Sequence, residues 1–254
     1  VLVVAGPCAL EDDDNINIEI ARACKSACDD LECDYYFKGS YDKANRSSST
    51  SPRGPGLTKG SNTFRCLKRR VGCKTLTDVH SVNEVKALEE IALDCLDVLQ
   101  IPSLLCRQTD ICKAAAASPF VTNWKKGQFA SVDIIPGALV KCGWTPFNPD
   151  PPNVWLTERG TTFGYNDIVI DMRKIHEMRK YGVPVLVDAS HSAGDRANIL
   201  PLAQAGVAAG ASGIYVEVHP DPASAVCDGK TSLQLSTFHD FLWEVVKVFK
   251  AVNS

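Results

Sequence analysis

Eight short apolar runs recur along this chain, each followed by a longer stretch of helical character. That alternation restricts the fold more than any other feature. The runs cover residues 1–5, 35–38, 75–77, 98–101, 121–125, 154–157, 185–187 and 213–218. Several are rich in β-branched residues and lack strict polar alternation, as strands buried on both faces do. The clearest helical stretches between them are 16–29, 82–91, 110–117, 168–181, 199–209 and 238–252. Strand alternating with helix implies parallel strands joined by right-handed crossovers. Eight such units close a (β/α)8 barrel, and 254 residues suit one α/β barrel domain spanning 1–254. The rival is an open doubly wound sheet, which wants a Gly-rich fingerprint directly after its first strand. Here the first strand runs into Ala5-Gly6-Pro7-Cys8, with no such pattern.

With 45% hydrophobic and 22% charged residues the chain can build a core of ordinary size. A net charge of −3 gives no reason to expect a nucleic-acid or membrane partner, so an anionic substrate must be met by local positive charge. No apolar run reaches the length of a membrane span, and the N-terminal run reads as a strand, not a signal peptide. The 11 cysteines are scattered through helical and strand segments, unlike a secreted disulfide scaffold, and are expected as reduced thiols in a cytoplasmic protein. Cys24, Cys28 and Cys33 are expected as small apolar residues on one helix and its exit, not as a zinc site. The polar Gly/Pro/Ser-rich stretch 47–60 follows the second strand, where a barrel carries an active-site loop.

Barrels of this type place reactive groups where strands end. Polar residues gather at those places: Cys8 after strand one, Lys38, Lys43, Asn45 and Arg46 after strand two, and Asp78 and His80 after strand three. Gln100 closes strand four, Lys125 and Lys126 close strand five, and Glu158 and Arg159 follow strand six. Asp188 and His191 follow strand seven, and Glu217 and His219 close strand eight, with Asp228 beyond. The cations form two groups. Lys38, Lys43, Arg46 and Arg53 share one segment, while Lys125 and Arg159 come from strands five and six, which suits two phosphates or a phosphate and a carboxylate. Cys8, His191, Glu217 and Asp228 make a mixed S/N/O set that suits Zn, Fe, Mn or Co better than Mg or Ca. Spacing alone is not specific here, and a buried structural Cys8 with carboxylates paired to nearby cations stays open as the alternative reading.

The segment Phe37-Lys38-Gly39-Ser40-Tyr41-Asp42-Lys43-Ala44-Asn45-Arg46-Ser47-Ser48 closely resembles a signature of the 3-deoxy-D-manno-octulosonate 8-phosphate synthases. So do Thr77-Asp78-Val79-His80, Lys125-Lys126-Gly127-Gln128-Phe129, Glu158-Arg159-Gly160-Thr161-Thr162-Phe163, Asp188-Ala189-Ser190-His191 and Cys227-Asp228-Gly229, in order along nearly the whole chain. The related heptulosonate synthases carry Lys-Pro-Arg-Thr where this chain has Lys43-Ala44-Asn45-Arg46, which favours a pentose substrate. The resemblance implies an aldol-type condensation of phosphoenolpyruvate with arabinose 5-phosphate and water, in lipopolysaccharide sugar biosynthesis. It implies Lys43, Lys125 and Arg159 around phosphoenolpyruvate with Gln100 and Lys38 at the edge, and Asn45, Arg46 and Ser47 at the pentose phosphate. Asp78 and His80 are implied near the reacting carbons, with Lys43, Asp78, His191 and Asp228 as catalytic candidates. Cys8, where a metal-independent branch has Asn, implies the metal-dependent branch with ligands Cys8, His191, Glu217 and Asp228. A homotetramer is implied as well. The rival readings are a related phosphoenolpyruvate-dependent synthase acting on another aldose and a non-catalytic sugar-phosphate-binding barrel. The chain departs from the family pattern at Gly39 and at 49–52, and its segments after Phe129 and from His191 to Ile199 are short.

Overall fold

The computed structural model describes residues 1–46, 50–145, 153–164 and 167–253. Eight parallel strands form a closed barrel: β1 (Leu2–Gly6), β2 (Asp34–Lys38), β3 (Lys74–Asp78), β4 (Val98–Ile101), β5 (Val121–Lys125), β6 (Val154–Glu158), β9 (Val185–Asp188) and β10 (Gly213–His219). Closure is made by β10 pairing in parallel with β1, with Gly6 opposite Glu217. This closure excludes the open-sheet alternative. A short hairpin of β7 (Thr161–Phe163) and β8 (Asp167–Val169) follows β6, and β11 (Ser232–Gln234) adds to β10.

Helices α1 (Asp14–Asp30), α2 (Leu57–Arg70), α3 (Val82–Ile91), α4 (Thr109–Ala117), α5 (Ile135–Lys141), α6 (Met172–Met178), α7 (Ala189–Ala193), α8 (Ile199–Ala208) and α9 (Phe238–Asn253) connect and surround the strands. The expected helix over 168–181 is corrected: its first residues form β8, and α6 starts only after Asp171 accepts from the Arg173 N–H as N-cap. The stretch 47–60 is a loop only in part, because α2 begins at Leu57.

Side-chain alternation explains how the barrel places its chemistry. Val4, Tyr36, Leu76, Val98, Trp155, Leu186 and Tyr215 form one buried cluster inside the barrel. Two residues further along the strands, on the same face, stand Gly6, Lys38, Asp78, Gln100, Thr157, Asp188 and Glu217. The parity that fills the barrel with apolar side chains therefore delivers a ring of polar ones at its C-terminal mouth. Gly6 is needed in that ring, since a Cβ there would lie 2.0 Å from the Lys38 carbonyl oxygen. Outside the strands, a larger apolar cluster joins them to the helices, including Ile20, Phe64, Leu88, Trp124 and Leu242. Cys24 and Cys28 are buried in that cluster and Cys33 packs against it, as expected of small apolar residues.

Candidate active site

Two groups of side chains meet at the barrel mouth. The first is cationic. Lys38, Lys43, Lys125 and Arg159 line one cavity with Asp78 and Gln100; Asn45, Ser103, His191 and Tyr215 also reach it. Lys38 Nζ donates to the Cys8 carbonyl at 2.9 Å and lies 3.6 Å from Asp78 Oδ1. Lys125 Nζ forms an ion pair with Asp188 and stands 4.1 Å from the centre of the Tyr215 ring, a cation–π contact. Burial lowers the Lys125 ammonium below its ordinary value; Asp188 opposes this and Arg159 adds to it. Burial also acts against the Asp188 carboxylate, but His191 and Lys125 overcome it and hold the group well below the usual carboxylate range. Arg159 spans the mouth, donating to Gln128 Oε1 at 3.1 Å and to the His191 carbonyl at 3.1 Å, while its Nε is buried without a partner.

Gln100 accepts from Asn123 Nδ2 at 3.2 Å, and Asn123 accepts from Thr157 Oγ1 at 2.7 Å, so the edge of the cavity rests on a buried polar chain across three neighbouring strands. Behind Asp78 stands His80, with Nε2 3.4 Å from Asp78 Oδ2 and Nδ1 3.3 Å from Glu84 Oε2. Burial works against the charged imidazole, yet Asp78 and Glu84 together raise it to about 9. Burial likewise opposes Glu84, whose carboxyl is nevertheless lowered to about 2 by His80 and Tyr41.

The second group is Cys8, His191, Glu217 and Asp228, whose ligand atoms all lie within 4.8 Å of one another. Cys8 Sγ donates to Asp228 Oδ2 at 2.8 Å, and His191 Nε2 is 3.2 Å from Glu217 Oε1. Both Glu217 oxygens are buried without hydrogen-bond partners. Burial pushes the Glu217 carboxyl and the Cys8 thiol well up toward their neutral forms. A divalent cation is the counter-charge that would let both ionise, and a thiol, an imidazole and two carboxylates are donors a transition ion accepts. His191 Nδ1 lies 2.9 Å from Asp188 Oδ2, the outer carboxylate that metal-binding imidazoles commonly have. The residues present fit such an ion.

The residues picked from sequence fall as follows. Lys38, Lys43, Asn45, Asp78, Gln100, Lys125, Arg159 and His191 share the cavity, and Cys8, Glu217 and Asp228 join His191 in the ligand cluster. Arg46 is not among the cavity residues; its Nη2 donates to the Val226 carbonyl at 3.4 Å. Arg53 is more than half exposed and paired with Asp42, away from this cavity. Ser47 lies outside the described residues. Lys126 is fully buried and turned away, donating to the carbonyls of Gly127, Ala130 and Gly160 and to Thr161 Oγ1. Ser103, Tyr215 and Glu84 join the site without any signal in the sequence. A Ser beside a Pro, a Tyr inside an apolar strand and a Glu in a helix's first turn carry no local mark of a site.

A closed barrel with a cationic cavity beside a mixed-donor cluster at the C-terminal strand ends is the arrangement of a (β/α)8-barrel enzyme suited to anionic substrates. The chain belongs to the DAHP synthetase I family, which it matches over residues 1–253. It is similar to the 2-dehydro-3-deoxyphosphooctonate aldolase of Desulfotalea psychrophila, 40% identical and covering 100% of this chain and 91% of that protein. The proteins of the same name from Fusobacterium nucleatum (40% identical, 99% and 91% covered) and Nitratidesulfovibrio vulgaris strain DP4 (41%, 96% and 90%) are also similar to it. The match to the first extends over 264 positions against 254 residues here, so at least 10 of its positions have no counterpart in this chain.

Proposed function

We propose that this chain is an enzyme that condenses phosphoenolpyruvate with D-arabinose 5-phosphate and water, giving 3-deoxy-D-manno-octulosonate 8-phosphate and phosphate. C3 of phosphoenolpyruvate forms the new bond to the pentose aldehyde carbon, water adds at C2, and the phosphate at C2 leaves. The observation that carries this reading is the shared barrel mouth: Lys38, Lys43, Lys125 and Arg159 converge on one cavity whose His191 belongs to the Cys8, Glu217 and Asp228 cluster. The relatives' names support the same chemistry.

In this reading Lys43, Lys125 and Arg159 hold the phosphate and carboxylate of phosphoenolpyruvate, and Gln100 and Lys38 close its edge. Holding two anions face to face is the costly part, and fixed cations offset their repulsion while orienting C3 toward the aldehyde. Asn45, with Arg46 and Ser47, serves the phosphate end of the pentose. Asp78 stands at the reacting carbons. Cys8, His191, Glu217 and Asp228 would hold a divalent Zn, Fe, Mn or Co ion, which when bound supplies Lewis-acid polarisation and orientation.

Further parts of the proposal are a single catalytic barrel over 1–254, a cytoplasmic location and a homotetramer. Eleven unpaired cysteines favour a reducing compartment. Phe129, Phe163 and Val169, at 57%, 72% and 50% exposure, line one cleft and supply an apolar surface for self-association. No helix among the described residues is long and apolar enough to cross a membrane.

The test is product analysis. Purified protein is incubated with phosphoenolpyruvate and, in turn, arabinose 5-phosphate, erythrose 4-phosphate or N-acetylmannosamine, and released phosphate and product mass are measured. Turnover with arabinose 5-phosphate is expected. Turnover only with another aldose, or binding without turnover, would overturn the proposal.

A further inference from the structure

Glu11, three residues beyond Cys8 in the loop between β1 and α1, is a buried carboxylate that the proposed reaction does not use. Its main chain is gripped from both sides by one fully buried amide of α1. Asn17 Oδ1 accepts from the Glu11 N–H at 3.1 Å, and Asn17 Nδ2 donates to the Glu11 carbonyl at 2.8 Å. The Glu11 backbone is therefore fixed to the scaffold. Glu11 Oε1 accepts from the Val226 N–H at 3.3 Å and lies 3.3 Å from His219 Nε2. His219 Nδ1 in turn lies 2.7 Å from the Asp221 carbonyl. One carboxylate thus touches both ends of the segment from His219 to Val226. Arg46 Nη2 holds the other side of the same Val226 peptide, at its carbonyl.

The next residues are Cys227 and Asp228. Asp228 takes the left-handed conformation, with φ 54° and ψ 26°, which a non-glycine residue keeps only when its surroundings dictate it. Gly229 follows because the chain folds back so tightly that a Cβ there would lie 1.9 Å from the Pro222 carbonyl oxygen. Asp228 is exposed, whereas Cys8 and Glu217 are buried. On its downstream side the Asp228 carbonyl accepts from the Thr231 N–H at 3.0 Å and Ser232 Oγ at 3.2 Å, and the Glu11 clamp is what holds the chain on its upstream side.

We propose that Glu11 is a positioning residue for the candidate metal centre: by clamping the Val226 peptide and His219 it fixes the segment that presents Asp228 beside Cys8. This rests on the metal reading above. Outer partners of this kind typically change metal affinity about 10–100-fold.

The test uses Co(II) titrated into wild-type protein, Glu11→Ala and Glu11→Gln, read by thiolate-to-cobalt absorption well below the melting temperature. Amide hydrogen exchange over 220–229 is followed in the same proteins. Glu11→Ala is expected to raise the Co(II) Kd about 10–100-fold and to speed exchange at Val226 and Asp228. Glu11→Gln, which keeps an acceptor for the Val226 N–H, should do less, and it carries the test alone if Glu11→Ala does not fold. A merely structural role would lower the melting temperature of the metal-free protein and leave both readouts unchanged, which overturns the inference. No cobalt–thiolate band in the wild type would remove the metal reading and this inference with it; a wild-type band with unaltered Kd in both variants removes this inference alone.

Discussion

Asp188 Oδ2 lies 2.9 Å from His191 Nδ1, and the opposite ring nitrogen of the same imidazole faces Glu217. Asp188 also caps α7, accepting from the His191 N–H at 2.9 Å, so one carboxylate fixes both the backbone and the ring of His191. Its own position, at the end of β9 opposite Tyr215 of β10, is set by sheet register.

Asp188→Asn keeps the shape but gives up the charge that orients the imidazole. Affinity for a divalent transition ion is expected to fall about 10–100-fold. Competition against a chromophoric chelator measures it, and an unchanged Kd would remove Asp188 as the outer partner that orients His191.

Chelation followed by assay should abolish turnover, and Mn, Fe, Co or Zn should restore it to different degrees. Cys8→Asn should be tolerated better than Cys8→Ala, because the amide can still accept or donate within the cluster. Full activity after exhaustive metal removal would leave the condensation standing and remove the metal.

Lys125→Met leaves Asp188 without its closest lysine in a fully buried setting. Removing one partner of a buried pair costs about 3–5 kcal/mol, although His191 and Arg159 also act on Asp188 and reduce the loss here. Turnover should fall about 100–1,000-fold as a donor to developing charge is lost. Denaturant unfolding and steady-state kinetics read the two effects separately, and near-wild-type kcat/KM would take Lys125 out of the substrate clamp.

The His80–Glu84 pair predicts a pH window. His80 is raised from 6.5 to about 9, so its contribution is full below about 6.5 and is lost as pH rises through 9. Glu84 is lowered from 4.5 to about 2, so its contribution is present above about 4.5 and is lost as pH falls through 2. Glu84→Gln should therefore destabilise most between those limits, by about 1–3 kcal/mol at pH 6, and clearly less at pH 9.5. Equal penalties at both pH values in urea unfolding would contradict the pairing.

Most of the barrel is legible in the chain because its strands are buried on both faces and stand out as apolar runs. Every one of the eight expected strands lies within about a residue of its counterpart at the site end. Helix α2 was hidden. It follows a Gly56 with no side-chain cap and buries Gly60, Ser61 and Thr63 beside Phe64 and Leu67, so its inner face looks polar. The 168–181 stretch misleads for the opposite reason: Ile168 and Val169 fit a helix face as well as the β7–β8 pairing they make. At the site, cations and acids at strand ends were visible from residue type and position. The supports behind them were not, since Glu11 and Val226 are 215 residues apart in sequence and nothing local links them.

Because β1 closes against β10, with Gly6 beside Glu217, the donor set straddles the seam where the earliest and latest barrel strands meet. A ribosome must therefore release the chain through Asp228 before any nascent molecule can grip an ion with all four groups. In the metal reading proposed above, loading is therefore coupled to completion of the ring, and a product that stops short of this seam lacks the full donor set.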